Sequence, residues 1–203
     1  MLTIWGRLDS HNVKKVVWFA QEIGLPFVRH DVGGKFGMND AYLAMNPNAL
    51  IPTIEDGDLV LWESNAILRY LAHRYAPESL WPSDPVIRAA GDKWMDWQFS
   101  FANAQRPVFH GLIRTKPEDR NAELIAQSIR ASGKAMLILD RALAGQPWLS
   151  GEAFGLADVP MGVFAHTFFT LDMERPDVPN VRAWYDRLRE RPAYVETVMI
   201  PLT

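Results

Sequence analysis

A hairpin signal at Asp56-Gly57 and a proline just before it constrain the fold of this chain most strongly. Two apolar runs, Pro52 to Glu55 and Leu59 to Trp62, flank Asp56-Gly57, a dipeptide typical of tight β-hairpins. Proline cannot donate a hydrogen bond to a neighbouring strand, so Pro52 belongs at the start or the edge of a strand. This placement leaves the backbone of Ile51 unpaired, where an extended peptide could bind.

The first 75 residues alternate strand and helix patterns. A strand, a helix and a strand predict a parallel βαβ unit, to which the hairpin adds two more strands. We therefore expect a thioredoxin-like domain, in the order βαβ-α-ββα, with a mixed four-stranded sheet. The predicted strands are 2–5, 26–30, 52–55 and 59–62, and the predicted helices are 13–23, 40–45 and 64–75.

The second half of the chain carries helix patterns and no convincing strand. Three prolines in residues 76–87 indicate a linker. We expect residues 1–75 to form the first domain and residues 88–203 to form an all-helical one. Its predicted helices are 88–110, 118–143, 158–170 and 181–190.

Composition excludes several classes of function. The chain has no cysteine, which rules out a disulfide framework, a CxxC redox pair and a cysteine nucleophile. Its five histidines lack metal-ligand spacing, so we expect no metal. A net charge of −3 gives no general attraction to nucleic acid or to an anionic membrane. With no signal peptide or spanning segment in view, we expect a soluble, cytoplasmic protein.

The whole chain resembles the soluble glutathione S-transferases, which join a thioredoxin-like half to a helical half. Residues 46–52 and 61–71 are similar to the N-P-x-x-x-[VI]-P and E-S-x-A-I-x-x-Y-L patterns of that family. Residues 6–18 resemble bacterial members and the serine-using theta-like and nu-like branches. One departure is Gly155, where the family usually has Ser or Thr three residues before Asp158. We expect Asp158 to compensate locally, with an effect on folding rather than on chemistry.

The resemblance implies that Ser10 donates a hydrogen bond to the sulfur of glutathione and stabilises the thiolate, the nucleophilic form. Asn12 is a second candidate donor, because nu-like relatives have a Thr-x-Asn motif at this point. The residues alone permit a plainer interpretation, in which Ser10 only caps the first helix. His11, between the two, is expected to face solvent.

The resemblance also implies a binding surface for the peptide. The backbone of Ile51 would pair with the cysteinyl moiety beside a cis Ile51-Pro52 bond. Glu63 would attract the γ-glutamyl ammonium, and Ser64 would bind its carboxylate at a helix N-terminus. An ordinary trans proline and a simple helix cap at Ser64 are the alternatives.

The glycyl carboxylate of glutathione has the weakest sequence signal. Serine-type relatives often place a basic or amide side chain just before the cis proline, but Ala49 and Leu50 are apolar here. Lys35, in a glycine-rich loop, is the best cationic substitute. A solvated lysine is the alternative interpretation.

The electrophile site is expected on the first helix of the second domain. Its candidate residues are Phe101, Gln105, Arg106 and Phe109. Aromatic residues at helical spacing are more often core than pocket, so part of this set competes with packing. Pro107 is expected to kink the helix, and Arg106 could meet an anionic substrate or a glutathione carboxylate.

These observations predict a glutathione transferase that conjugates glutathione, its co-substrate, to a small hydrophobic electrophile in an apolar cleft, without a metal. The resemblance implies a homodimer. Two alternatives stay open. One is a glutathione-dependent disulfide reductase or peroxidase of the nu-like kind, and the other is a non-catalytic module that binds glutathione or a partner protein.

Overall fold

A four-stranded mixed sheet forms the first half of the molecule, whose computed structural model describes residues 1–203. The strands lie in the order β2-β1-β3-β4. β1 and β2 are parallel, whereas β3 runs antiparallel to both β1 and β4. The expected thioredoxin-like sheet is confirmed. Its strands are β1 (Leu2–Trp5), β2 (Phe27–His30), β3 (Thr53–Asp56) and β4 (Leu59–Trp62).

Three helices accompany the sheet, close to the predicted bounds. They are α1 (His11–Glu22), α2 (Asp40–Met45) and α3 (Ser64–Tyr75), with a 3-10 turn at Gly34–Phe36. Every residue of α1 from Val13 to Ala20 is buried. The reason is that α1 contacts both α3 and two helices of the second half, α6 (Asp158–Thr170) and α8 (Pro192–Thr197). Two lysines, Lys14 and Lys15, lie within this buried run.

The second half is all-helical, as predicted. Its helices are α4 (Pro85–Phe109), α5 (Ala122–Leu143), α6 (Asp158–Thr170), α7 (Pro179–Arg189) and α8 (Pro192–Thr197). α4 begins three residues earlier than expected, because the Asp84 side chain accepts hydrogen bonds from the N–H groups of Val86 and Ile87. A π-helical turn, His110–Arg114, follows α4, and a 3-10 turn at Pro117–Asp119 precedes α5.

One hydrophobic core joins the two halves. Trp18 of α1 packs against Tyr194 of α8, with ring centroids 4.8 Å apart. A Cβ at Gly162 of α6 would come within 2.9 Å of the Trp18 ring, so only glycine allows this approach. α6 is buried on all sides from Asp158 to Phe168. This burial fits its sequence, because a helix without a polar face is found inside a protein. None of the helices has the length and apolar character needed to cross a membrane.

Asp158 ties the start of α6 to its surroundings. Its buried carboxylate accepts hydrogen bonds from the backbone N–H groups of Leu149, Ser150 and Gly155, and from the indole N–H of Trp184. A Cβ at Gly155 would lie 2.7 Å from the Ser150 hydroxyl oxygen. The departure at Gly155 therefore follows from close packing, and Asp158 makes the compensating contacts that we expected.

Candidate active site

A cavity of about 420 Å³ lies between the two halves of the molecule. Its walls come from the β1–α1 loop, the segment before β3, α4 with its π-helical turn, and α6. Of its 16 lining residues, 6 are hydrophobic and the others are polar or charged, so the cleft combines apolar and polar groups. The lining residues are Arg7, Ser10, His11, Asn12, Leu50, Ile51, Gln98, Phe99, Ala102, Asn103, Gln105, Arg106, Phe109, His110, Arg114 and Phe164.

Ser10 lines the cavity at the N-terminus of α1. Its backbone is extended, with φ −75° and ψ 127°, as is typical of a residue that precedes a helix. The hydroxyl nevertheless makes no capping hydrogen bond. The Ser10 hydroxyl is thus free to donate to a ligand, beside helix N–H groups that favour negative charge.

Asn12, on the first turn of α1, also lines the cavity and connects it to α3. Its Oδ1 accepts a hydrogen bond from the Ser64 hydroxyl at 3.3 Å. The carbonyl side of the amide is therefore occupied, and the Nδ2–H groups remain available as donors.

Lys15 lies completely buried beneath Ser64. Its Nζ donates to Ser64 Oγ and to Asn65 Oδ1, each at 3.3 Å, and to Gln98 Oε1. All three acceptors are neutral. Burial lowers the pKa of Lys15 to about 7, although the charge of Glu63 opposes this shift. We did not predict this residue, because a lysine in a helix pattern usually indicates a solvated face.

His11 faces the interior, which corrects the expectation that it faces solvent. Its ring stacks on Phe164 of α6 at 4.8 Å and meets Phe109 edge-on at 4.9 Å. Its Nε2 is hydrogen-bonded to Thr167 Oγ1 at 2.6 Å. Burial lowers the pKa of His11 to about 3, so the ring is neutral near pH 7 and forms part of the wall.

Ile51 lines the cavity, and its bond to Pro52 is cis, as the resemblance implied. Neither the N–H nor the carbonyl group of Ile51 makes a hydrogen bond within the protein. Pro52 itself is buried behind this edge. An extended peptide could therefore bind to Ile51 by main-chain hydrogen bonds.

Glu63 and Ser64 lie at the start of α3, outside the cavity lining. Glu63 is exposed and has a positive φ of 72°, a conformation that costs about 1–3 kcal/mol for a residue with a Cβ. Strained residues of this kind cluster at binding sites. Ser64 is buried, and its hydroxyl reaches the cavity only through Asn12.

Lys35 does not line the cavity. It is exposed on the 3-10 turn, with its Nζ 5.1 Å from the centre of the Phe36 ring. The turn still borders the site, because a Cβ at Gly33 would lie 3.3 Å from the Ile51 side chain.

The four α4 candidates separate into two groups. Gln105, Arg106 and Phe109 line the cavity, but Phe101 does not. Phe101 is fully buried and its ring lies against Trp97, Phe164 and Phe168. The correction has a simple cause: Phe101 lies on the face of α4 that packs against α6, where an aromatic side chain contributes to the core.

Sequence reasoning missed several lining residues besides Lys15 and His11. Arg7 lies in the loop between β1 and α1. Phe99, Asn103 and His110 share the α4 face of Arg106, so helical spacing could have indicated these three. Arg114 follows His110 by one turn of the π-helical segment, which the sequence did not reveal. Phe164 comes from α6, and only tertiary packing brings it to the cavity.

Comparison with known proteins agrees with this geometry. Residues 9–74 match the family model for the glutathione S-transferase N-terminal domain, and residues 95–192 match the model for the C-terminal domain. The chain is 43% identical to glutathione S-transferase GstB of Escherichia coli K12 over the full length of both. It is 31% identical to glutathione S-transferase 3 of Zea mays, over 99% of this chain and 95% of the relative.

A solved structure gives the same result. The theta class glutathione S-transferase of Xanthomonas axonopodis pv. citri with glutathione bound superimposes with a TM-score of 0.96 at 50% identity. The match covers 100% of this chain and 99% of that one. The chain therefore belongs to the glutathione S-transferase family of enzymes.

Proposed function

We propose that this enzyme binds glutathione in the cavity, holds its sulfur as a thiolate at Ser10, and transfers it to a small electrophilic carbon. The observation that carries the proposal is the Ser10 hydroxyl, which lines the cavity at a helix N-terminus and makes no capping bond. A hydrogen-bond donor in this position lowers the pKa of a thiol by stabilising its charged form.

Asn12 is the second donor to the sulfur. Its Oδ1 already accepts the Ser64 hydroxyl, so its Nδ2–H groups are directed to other acceptors. The thiol proton leaves to solvent, and the thiolate electron pair forms the new S–C bond while the leaving group departs with its own pair. The exposed faces of Phe109, Phe164 and His11 would contact the apolar body of the electrophile.

The glutathione backbone would lie along Ile51, whose unpaired N–H and carbonyl groups suit the cysteinyl moiety beside Pro52. Ser64 and the unpaired N–H groups of the first turn of α3 would bind the γ-glutamyl carboxylate. Glu63 would attract the ammonium group. Lys35, exposed on a turn that borders Ile51, is the proposed partner of the glycyl carboxylate.

The proposal assigns a different role to each half of the chain. Residues 1–75 bind glutathione, and residues 88–203 carry most of the electrophile site. Residues 76–87 form the linker between them. A two-fold homodimer is part of the proposal, supported by the exposed apolar side chains of Leu59, Val60 and Trp62 on edge strand β4. A cytoplasmic location and a detoxification role belong to it as well.

Thiol ionisation in the bound state tests the central step. We expect the Ser10→Ala variant to raise the pKa of bound glutathione, measured by thiolate absorbance, by about 1–2 units. Its kcat/KM with an aryl halide should fall about 10- to 100-fold, while the Kd for glutathione changes little.

Ser100→Ala is the matched control, because Ser100 is exposed on α4 and does not line the cavity. If the thiol pKa stays unchanged in both Ser10→Ala and Asn12→Ala, the proposed role of this loop is wrong. Parallel assays with a hydroperoxide and a mixed disulfide distinguish conjugation from a reductase or peroxidase activity. Glutathione binding with no turnover of any of these would favour a non-catalytic module.

A further inference from the structure

The walls of the cavity carry basic side chains and no acidic side chain. Three arginines, Arg7, Arg106 and Arg114, line it, together with two histidines. No aspartate or glutamate is among the lining residues. Arginine side chains at a shared cavity are costly to hold together unless an anion joins them.

The three guanidinium groups differ in what already binds them. Arg7 forms an ion pair with Asp9 at 2.6 Å. Arg114 donates from Nε and Nη2 to the main-chain oxygen of Thr203, at 3.1 and 2.9 Å. Arg106 is exposed and makes neither an ion pair nor a side-chain hydrogen bond. The charge that lacks a partner is thus centred on Arg106.

Neighbouring charges in this cluster repel one another. The pKa of Arg114 is lowered first by burial and then by the charge of Arg7; the charge of Asp9 opposes this shift, and Arg106 adds to it. The pKa of His110 is lowered by burial and then by Arg114 and Arg106. These effects place Arg106, His110 and Arg114 within electrostatic reach of one another, and a bound anion would relieve their repulsion.

The cluster lies on the wall that belongs to the helical half. Arg106 and His110 share one face of the helix, and Arg114 follows one turn later on the π-helical segment. The Arg114 guanidinium lies 4.8 Å from the centre of the Phe109 ring. Ser10 and Ile51, the proposed contacts of glutathione, are on the opposite wall. A flat molecule against Phe109 would have its anionic end at the arginines and its other end near the sulfur.

We propose that the electrophile of this enzyme carries a carboxylate, which Arg106 and Arg114 bind. The inference rests on the proposed function and changes its substrate class from a purely hydrophobic electrophile to one with an apolar body and an anionic end. Guanidinium groups bind carboxylates through paired hydrogen bonds, so the arginines would orient the substrate as well as attract it.

The probe 4-chloro-3-nitrobenzoate has this chemistry. The thiolate sulfur bonds to the ring carbon that carries chlorine, the C–Cl bond breaks, and chloride leaves with the bonding electrons. The carboxylate is unchanged, and no oxidant or reductant is needed. Its neutral partner is 4-chloro-3-nitrobenzamide, which has nearly the same shape and lacks the charge.

The test compares kcat/KM for the two probes, each divided by its uncatalysed rate constant with glutathione. We expect the enzyme to prefer the benzoate about tenfold, as a hydrogen bond to a charged group predicts. Arg106→Gln should abolish most of this preference, Arg106→Lys should retain part of it, and added salt should reduce it. Arg130→Gln is the matched control, since Arg130 is exposed on α5 and outside the cavity.

Calorimetry with the two S-aryl glutathione products supplies a second readout that needs no turnover. If the carboxylate product binds more tightly than the amide product, and Arg106→Gln abolishes this difference, the inference is supported even when neither probe is conjugated. A lack of conjugation in that case would overturn the proposed function alone. Equal binding and equal rates for both members of the pair overturn the inference. The inference is also overturned if Arg106→Gln weakens the binding of glutathione and of both products equally, because the arginine would then contact the glutathione part of the ligand.

Discussion

Two buried charged groups, one in each half, have opposite surroundings. Asp158 accepts four hydrogen bonds from N–H groups of the helical half and lies away from the cavity. Lys15 donates only to neutral oxygens, directly behind residues that line the cavity. The four donors stabilise the Asp158 carboxylate within the protein, although burial still raises its pKa, whereas the Lys15 ammonium has no acid among its hydrogen-bond partners and would be stabilised by an anionic ligand. The difference indicates a structural role for Asp158 and a ligand-related role for Lys15.

The largest expected effect tests the structural side of this comparison. Asp158→Ala should lower the free energy of unfolding by about 3–5 kcal/mol, because it leaves several buried donors without an acceptor. Asp158→Asn should cost less, since the amide oxygen still accepts some of the bonds. Urea denaturation measures both. A cost below about 1 kcal/mol for Asp158→Ala would contradict the structural role.

A pH dependence of stability tests the other side. The pKa of Lys15 is about 7 in the folded protein, against the usual 10.5 in an unfolded chain. Between these values the unfolded chain holds a proton that the folded protein has released, so the free energy of unfolding rises with pH. Relative to Lys15→Met, the wild type should gain about 2 kcal/mol from pH 7 to pH 9.

Urea denaturation of both proteins at several pH values checks this prediction. Other titrating groups, including Lys14, cancel in the difference between wild type and variant. A difference that is flat across this range would mean that Lys15 keeps its proton in the folded state, which would contradict the predicted lowering of its pKa.

The smallest effect concerns glutathione itself. Lys15→Met should weaken glutathione binding about tenfold, because it removes a positive charge and the donor that holds Ser64 in place. Lys14→Met is the matched control: Lys14 is the neighbouring buried lysine, and its Nζ donates to the carbonyl oxygen of Val198 instead. Calorimetry measures both. Equal losses in the two variants would show a general effect on α1 rather than a role of Lys15 in the site.

Much of the fold follows from local patterns. The helices at 40–45, 64–75 and 158–170 have the predicted bounds, and the first hairpin strand is shifted by one residue, to 53–56. Turn chemistry and helix spacing are properties of short segments, so they can be read from the sequence. The short helix α8 was missed, since six residues are too few to show a period. The early start of α4 depends on a cap at Asp84, a single side chain ahead of the apolar pattern.

The site was less predictable than the fold. The family resemblance indicated Ser10, Asn12 and Ile51, and all three line the cavity. Phe101 has the same spacing as Phe109, and only packing against α6 decides which of the two faces the cavity. The contacts of His11 with Phe164 and Thr167 join residues more than 150 positions apart, so no local pattern predicts them.

His11 has a consequence for how this chain could recombine with its relatives. It stands between Ser10 and Asn12, and α6 fixes it through Phe164 and Thr167. In a chimaera that joins the first half to the helical half of another protein, His11 would keep its position only if the new half supplies an aromatic ring in place of Phe164 and a hydroxyl in place of Thr167. The imidazole of His11 therefore couples the loop that carries Ser10 and Asn12 to the helical half, beside the shared core at Trp18 and Tyr194.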